Sequence, residues 1–212
     1  KPLVKIGKKP IIWHLMKIYS SHGINEFIIC LGYKGHMIKH ELKKYIKKES
    51  WSINFVETGL HTMTGGRIKR IKDYLNNNEN FCLSYGDGLA NIDINKLIKF
   101  HLNSNNFATL TAVKYKNPKG ILSINKNNKV SKIKEKPEEY INGGFFVLSK
   151  KIFKYLKNDN TIFEKDCLPL LAKKKKLQAF KHNGFWACMD TLREKRELNL
   201  LWKSNNCKWK IW

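Results

Sequence analysis

Asp87 follows the apolar run Phe81-Cys82-Leu83-Ser84-Tyr85 and stands between Gly86 and Gly88. A strand that ends in a carboxylate between two glycines puts negative charge at the carboxyl edge of a sheet, where open α/β proteins bind ligands. The combination suits a divalent cation bridging to phosphates, because hard cations take carboxylate oxygens. The plainer alternative, for an isolated Gly-Asp-Gly, is a turn aspartate capping the next helix. Thr62-Met63-Thr64-Gly65-Gly66-Arg67 places two glycines at the mouth of a helix, where backbone can approach a ligand and unpaired N–H groups face an anion. Taken alone it reads as a loop. Glu135-Lys136-Pro137 ends a strand with a charged pair, Asn142-Gly143-Gly144 opens another, and Gly120 begins a third. Such groups suit a sugar phosphate, whose hydroxyls need donors and acceptors and whose phosphate needs a cation; a hairpin with an exposed salt bridge is the alternative.

Several chemistries lack their signatures. Neither Gly-x-x-x-x-Gly-Lys-Ser/Thr nor Gly-x-Gly-x-x-Gly occurs, so a nucleotide would be held some other way. His36 and His40 share the i, i+4 spacing of a metal pair, yet the zinc-protease pattern and a third ligand are missing. There is no Gly-x-Ser-x-Gly elbow for a serine hydrolase.

The elements that must position these residues alternate in the first half. Ile11, Ile12, Leu15, Met16, Ile18 and Tyr19 have helical spacing after Pro10; Glu26 to Leu31 reads as a strand; Met37, Ile38, Leu42 and Ile46 give a second helix. Strands at 52–57 and 81–85, a polar loop over 58–66 and helices at 67–75 and 94–102 continue the pattern, the signature of a parallel sheet with helices on both faces. The second half reads as closely spaced strands at 107–113, 120–124, 129–133 and 141–148, with Asn125-Lys126-Asn127-Asn128 as a hairpin loop. Short helices near 152–156 and 163–171 and a strand at 177–181 follow. Thr191 and Glu194 have capping-box spacing for a closing helix, which leaves Asp190 just outside it and free to point elsewhere.

At 212 residues the chain is expected to form one domain, with a nucleotide-binding half (1–106) and a sugar-phosphate-binding half (107–212). No apolar run approaches bilayer length, so a soluble protein without a membrane role is expected. The five cysteines include no Cys-x-x-Cys pair and read as core residues of a reducing cytoplasm. The net charge of +24 raises a second class of function, a basic protein that binds polyanions. Of the 41 basic residues only Arg67, Arg70, Arg193 and Arg196 are arginine, and the lysines are scattered, which argues against specific nucleic-acid readout.

Taken together, Lys9-Pro10-Ile11-Ile12-Trp13-His14, Gly32-Tyr33-Lys34-Gly35, Met63-Thr64-Gly65-Gly66-Arg67, Tyr85-Gly86-Asp87-Gly88, Glu135-Lys136-Pro137, Asn142-Gly143-Gly144-Phe145, Gly184-Phe185-Trp186 and Met189-Asp190-Thr191 resemble the glucose-1-phosphate cytidylyltransferases of the sugar-nucleotide transferase family. The resemblance runs over nearly the whole chain. It implies a Rossmann-like α/β fold, with a mixed, mostly parallel sheet flanked by helices and a small β-rich sugar-binding part. It also implies a reaction, CTP plus glucose 1-phosphate giving CDP-glucose and pyrophosphate, within nucleotide-sugar and lipopolysaccharide O-antigen biosynthesis. On the matching positions, Mg2+ falls to Asp87 and Asp190, and Lys1 and Asp87 are catalytic. The nucleotide falls to Lys1, Thr62, Gly65, Gly66, Arg67 and Gly86, and the sugar phosphate to Gly120, Glu135, Lys136, Asn142 and Gly143. A homo-oligomer is compatible with the family, and its size is left open. The family's opening strand and Leu-Ala-Gly-Gly-x-Gly-Thr-Arg-Leu loop have no counterpart here, and Lys5, Lys8 and Ala187-Cys188 depart from its usual residues. The chain as given is therefore expected to expose two apolar sheet edges, to bind CTP poorly and to turn over little. A thymidylyl- or uridylyltransferase, and a polyanion-binding remnant of the scaffold, remain the alternatives.

Overall fold

The computed structural model describes residues 1–75, 78–116 and 119–212. The chain opens with a tight hairpin, β1 (Lys5–Ile6) and β2 (Lys9–Pro10), which leads into α1 (Ile11–Ser20). There follow β3 (Glu26–Leu31), α2 (Gly35–Ile46), β4 (Ser52–Glu57), α3 (Thr64–Arg70), β5 (Asn80–Ser84), β6 (Gly88–Ala90) and α4 (Ile94–Leu102). The second half runs through β7 (Ala108–Lys116), β8 (Ile121–Ile124), β9 (Val130–Lys134), β10 (Glu138–Ser149), α5 (Leu168–Lys173), β11 (Leu177–His182), β12 (Trp186–Cys188) and α6 (Leu192–Lys203). A 3₁₀ turn covers Lys150–Tyr155 and a π turn covers Phe163–Cys167.

The central sheet has the order β11-β7-β10-β5, with β7 and β11 parallel and β10 antiparallel to both of its neighbours. β3 and β4 form a separate parallel pair. The architecture is thus a mixed sheet with helices, as the alternation of elements implies. Parallel pairing is confined to these two ladders among the described residues, because the long strand β10 returns alongside β5 and β7 in the opposite sense. Among the described residues, β3 and β4 pair only with each other, and β5 and β11 are the outer strands of the central sheet.

Period-2 alternation in β10 makes the core. Phe145 and Val147 point to one side, against Ile11, Leu15, Ile18 and Tyr19 of α1, Leu89 of β6 and Trp209 near the end of the chain. Phe146 and Leu148 point to the other, against Ile68 of α3, Phe163, Leu168 and Leu171. Over Phe145–Leu148 both faces of the strand are buried, so this part of its sequence reads as an unbroken apolar run. Two helices carry side-chain caps, and that of α6 is the one its sequence suggests. Asp93 accepts a hydrogen bond from the Lys96 N–H at 2.9 Å at the start of α4, and Thr191 and Glu194 form both halves of a capping box on α6. α3 begins at Thr64, three residues earlier than the glycine pattern predicts, because the pair Gly65-Gly66 lies inside its first turn. No helix among the described residues is long and apolar enough to cross a membrane.

Candidate active site

Two of the shortest strands position the two key carboxylates. β6 and β12 pair antiparallel with Gly88 opposite Cys188, so Asp87 and Asp190 flank the same end of one ladder. The Met189 N–H donates to the Asp87 carbonyl at 3.0 Å and fixes the approach. The Lys1 ammonium donates to Asp190 Oδ1 and lies 3.9 Å from Asp87 Oδ2. Asp87 and Asp190, 103 positions apart in the chain, therefore face a common cation. Residues 1–4 hold Lys1 there. The Ile11 N–H donates to the Val4 carbonyl at 2.8 Å and the Ile12 N–H to the Pro2 carbonyl at 3.2 Å, which ties the segment to the start of α1. Pro2 lies over Gly86, where a Cβ would come within 3.4 Å of Pro2 Cγ.

The two carboxyl groups differ in environment. Partial burial pushes the Asp87 pKa up, Asp190 beside it adds to the rise, and Lys1 opposes both. The hydrogen bond from Lys1, followed by one from Cys188, holds Asp190 below the usual carboxylate range. Lys1 is correspondingly raised by its hydrogen bond to Asp190. Asp190 keeps its position outside α6 because its N–H and that of Thr191 donate to Glu194 Oε2 at 2.7 and 2.8 Å. Cys188, Asp190 and Glu194 bring three donor atoms within 4.8 Å of one another. Glu194, however, is occupied by the cap, and burial pushes the Cys188 thiol up to about 12.

Beside the carboxylates, β10 bulges between Asn142 and Phe146. Gly144 takes φ +77° in this bulge, with the Tyr85 ring where a Cβ would stand. The Asn142 amide is held at both ends: its Nδ2 donates to the Tyr85 hydroxyl at 3.2 Å, and its Oδ1 accepts from the Gly144 N–H at 2.9 Å. Trp186 of β12 donates to the Gly143 carbonyl at 2.8 Å, and a Cβ on Gly88 would lie 3.9 Å from that same oxygen. The structure thus brings Lys1, Gly86, Asp87, Asp190, Asn142 and Gly143 into one neighbourhood. Tyr85 and Glu164, which the sequence reading does not single out, complete it through a 2.6 Å hydrogen bond from the tyrosine hydroxyl to Glu164 Oε1.

The other expected site residues have different surroundings. The mouth of α3 is not an open anion site: the Gly65 and Gly66 N–H groups donate to the Thr161 carbonyl at 2.9 and 3.3 Å, and Met63 N–H donates to the Asp159 carbonyl at 2.8 Å. These glycines permit close backbone packing, since a Cβ on Gly66 would lie 2.6 Å from Asp159 Cα. Thr62 is buried beside them. Arg67 donates to the Leu31 carbonyl at 3.0 Å and to Thr58 Oγ1 at 2.6 Å, joining the ends of β3 and β4. Gly120, Glu135 and Lys136 lie at the base of the exposed β8–β9 ribbon, where the Lys136–Glu135 ion pair spans 3.9 Å.

The β6–β12 edge thus carries paired carboxylates with a lysine between them and a polar bulge alongside, and comparisons with known proteins place the chain in a family. The chain belongs to the nucleotidyl transferase family, whose profile matches residues 1–199. Within that family, it is 42% identical to the glucose-1-phosphate cytidylyltransferase of Salmonella typhimurium, over 100% of this chain and 91% of the relative. The probable glucose-1-phosphate cytidylyltransferase of Bacillus subtilis is also 42% identical over the same shares. The crystal structure of HddC from Yersinia pseudotuberculosis complexed with GMP-PN superposes with a TM-score of 0.76 at 25% identity, covering 95% of this chain and 89% of that one.

Proposed function

We propose that the protein is a glucose-1-phosphate cytidylyltransferase, which joins CTP and glucose 1-phosphate to give CDP-glucose and pyrophosphate, and that it works with Mg2+ in the cytoplasmic supply of a nucleotide sugar. The observation that carries this reading is the convergence of Asp87 and Asp190 on one ammonium. Paired carboxylate oxygens are the donor set that a hard divalent cation takes, so Asp87 and Asp190 fit as its protein ligands. When bound, the cation supplies positive charge to the phosphate oxygens.

The chain's own residues supply position and charge. A phosphate oxygen of the sugar phosphate attacks the α-phosphorus of CTP, a new P–O bond forms, and the bond to the β-phosphate breaks to release pyrophosphate. No covalent enzyme intermediate is needed, so alignment and neutralisation of developing charge account for catalysis. Lys1, half-exposed, presents its remaining N–H groups to a phosphate oxygen. Asn142 offers one N–H and one lone pair beyond those it uses within the protein, which matches a sugar hydroxyl that both donates and accepts.

Calorimetric titration of CTP and glucose 1-phosphate, with and without Mg2+ and at two salt concentrations, tests the reading. Saturable CTP binding that needs Mg2+, survives added salt, exceeds that of dTTP and UTP and falls at least tenfold in Asp87→Asn is expected. Binding of any polyanion equally, collapsing with salt and unaltered in Asp87→Asn, would overturn it.

A further inference from the structure

Tyr85 and Glu164 form a chain of hydrogen bonds whose direction is set at every step. The Tyr85 hydroxyl has one proton, and it goes to Glu164 Oε1 at 2.6 Å. The other carboxylate oxygen, Oε2, accepts from Thr64 Oγ1 at 2.7 Å, and Thr64 Oγ1 in turn accepts from the Phe163 N–H at 2.9 Å. Glu164 is therefore an acceptor on both sides, and Tyr85 has only lone pairs left to offer Asn142. The Asn142 amide must turn its NH2 toward Tyr85, at 3.2 Å, and its carbonyl toward the Gly144 N–H, at 2.9 Å. The Gly144 N–H alone sets the polarity of this amide, and the chain from the carboxylate on the π turn adds a second anchor that holds its plane. The Tyr85 ring is fixed independently, edge-on to Phe146 at 5.6 Å and against the bare Cα of Gly144. Removing its hydroxyl leaves that packing intact.

We propose that Tyr85 and Glu164 are positioning residues for the sugar-phosphate subsite: together they hold the NH2 end of Asn142, whose carbonyl end is held by the Gly144 N–H, so that one N–H and one carbonyl lone pair of its amide are presented in a fixed plane to a hexose hydroxyl. This rests on the proposed function for the identity of the ligand, whereas the amide orientation is a property of the protein alone. Tyr85→Phe leaves the Asn142 NH2 without its acceptor. Glu164→Gln introduces a donor that can reverse the chain, with the new NH2 donating to Tyr85 and the tyrosine proton turning against the Asn142 NH2, donor against donor. Either change leaves the amide anchored at Gly144 alone, so it rotates out of the plane that meets the hydroxyl.

The test measures the dissociation constants of glucose 1-phosphate and of CTP, each with Mg2+, for the wild type, Tyr85→Phe, Glu164→Gln, Asn142→Ala and the Tyr85→Phe/Asn142→Ala double variant. Side-chain amide spectra of the 15N-labelled proteins accompany it. The dissociation constant for glucose 1-phosphate is expected to rise roughly five- to tenfold in Tyr85→Phe and Glu164→Gln, while that for CTP stays within about twofold. Adding Tyr85→Phe to Asn142→Ala is expected to cost nothing further. The Asn142 amide resonances are expected to lose their wild-type dispersion in both single variants. Unchanged glucose 1-phosphate affinity in Tyr85→Phe, equal losses for both ligands, additive effects in the double variant or an unmoved Asn142 resonance would each overturn the proposal. If the wild type binds no glucose 1-phosphate but the amide resonances respond as expected, the ligand assignment fails and the amide-locking half stands.

Discussion

Replacing Gly66 by alanine sets two well-measured effects against each other at one position. Gly66 lies in the first turn of α3, and on helix propensity alone the change stabilises by about 1 kcal/mol. The structure predicts the opposite sign. A Cβ there would lie 2.6 Å from Asp159 Cα and 2.7 Å from Asp159 O, where ordinary contact begins at 3.4 Å, so two stretches of backbone must part by about 0.8 Å. Overpacking of this kind costs ~1–3 kcal/mol. The same displacement stretches the bonds from the Gly65 and Gly66 N–H groups to the Thr161 carbonyl, now 2.9 and 3.3 Å, at ~1 kcal/mol each if lost. The balance is a net loss of roughly 2–4 kcal/mol, which in a protein of this size lowers the melting temperature by about 4–16 °C. Thermal unfolding followed by far-ultraviolet circular dichroism reads this directly. A melting temperature equal to or above that of the wild type would show that α3 is free to move at its amino end, and the packing account of the glycine pair would be wrong.

Arg67→Lys separates a fold role from a ligand role: loss of the guanidinium bonds to Leu31 O and Thr58 Oγ1 is expected to destabilise by ~1–2 kcal/mol in urea unfolding. An unchanged midpoint with weakened CTP binding would instead assign Arg67 to the ligand alone. The two acidic residues are expected to titrate in a set order as pH falls, Asp87 first and Asp190 last, on either side of the ordinary value of 3.8. Asp190, with its folded pKa depressed, stabilises the fold above 3.8, and this contribution is lost as pH falls through its folded value. Asp87, with its folded pKa raised, costs stability as pH climbs from 3.8 through its folded value, and protonation relieves that cost. Carboxyl 13C titration by NMR measures both midpoints, and coincident or reversed midpoints would contradict the geometry.

Much of this arrangement is legible from residue types, and the reason is local. The apolar run Phe81 to Tyr85 reads as a strand, and the structure has it extended over Asn80–Ser84 and half-buried, so the carboxylate that follows emerges at a sheet edge. The capping box of Thr191 and Glu194 is closed within four residues, so it fixes the start of α6 and leaves Asp190 outside without help from the rest of the fold. The glycine pair at 65–66 shows where local reading stops. Bare backbone at the mouth of a helix is equally suited to an anion and to another stretch of chain, and only the placement of residues 159–161 decides that the chain takes it.

The pairing of β6 with β12 lies beyond local reading for a different reason. Each strand has three residues, too few for alternation to register, and their register depends on the course of everything between them. Their Gly88–Cys188 end is nevertheless what converts two remote aspartates into one site. The same holds for Glu164, which sits in an irregular turn with no motif around it and acquires a role only because β10 bulges at Asn142 and β5 delivers Tyr85 between them. A residue whose contribution is to orient another side chain leaves no pattern in its own neighbourhood. In this protein one carboxylate of the converging pair is marked by the glycines around it and the other by resemblance, whereas the carboxylate that steadies the amide beside them had to wait for the fold.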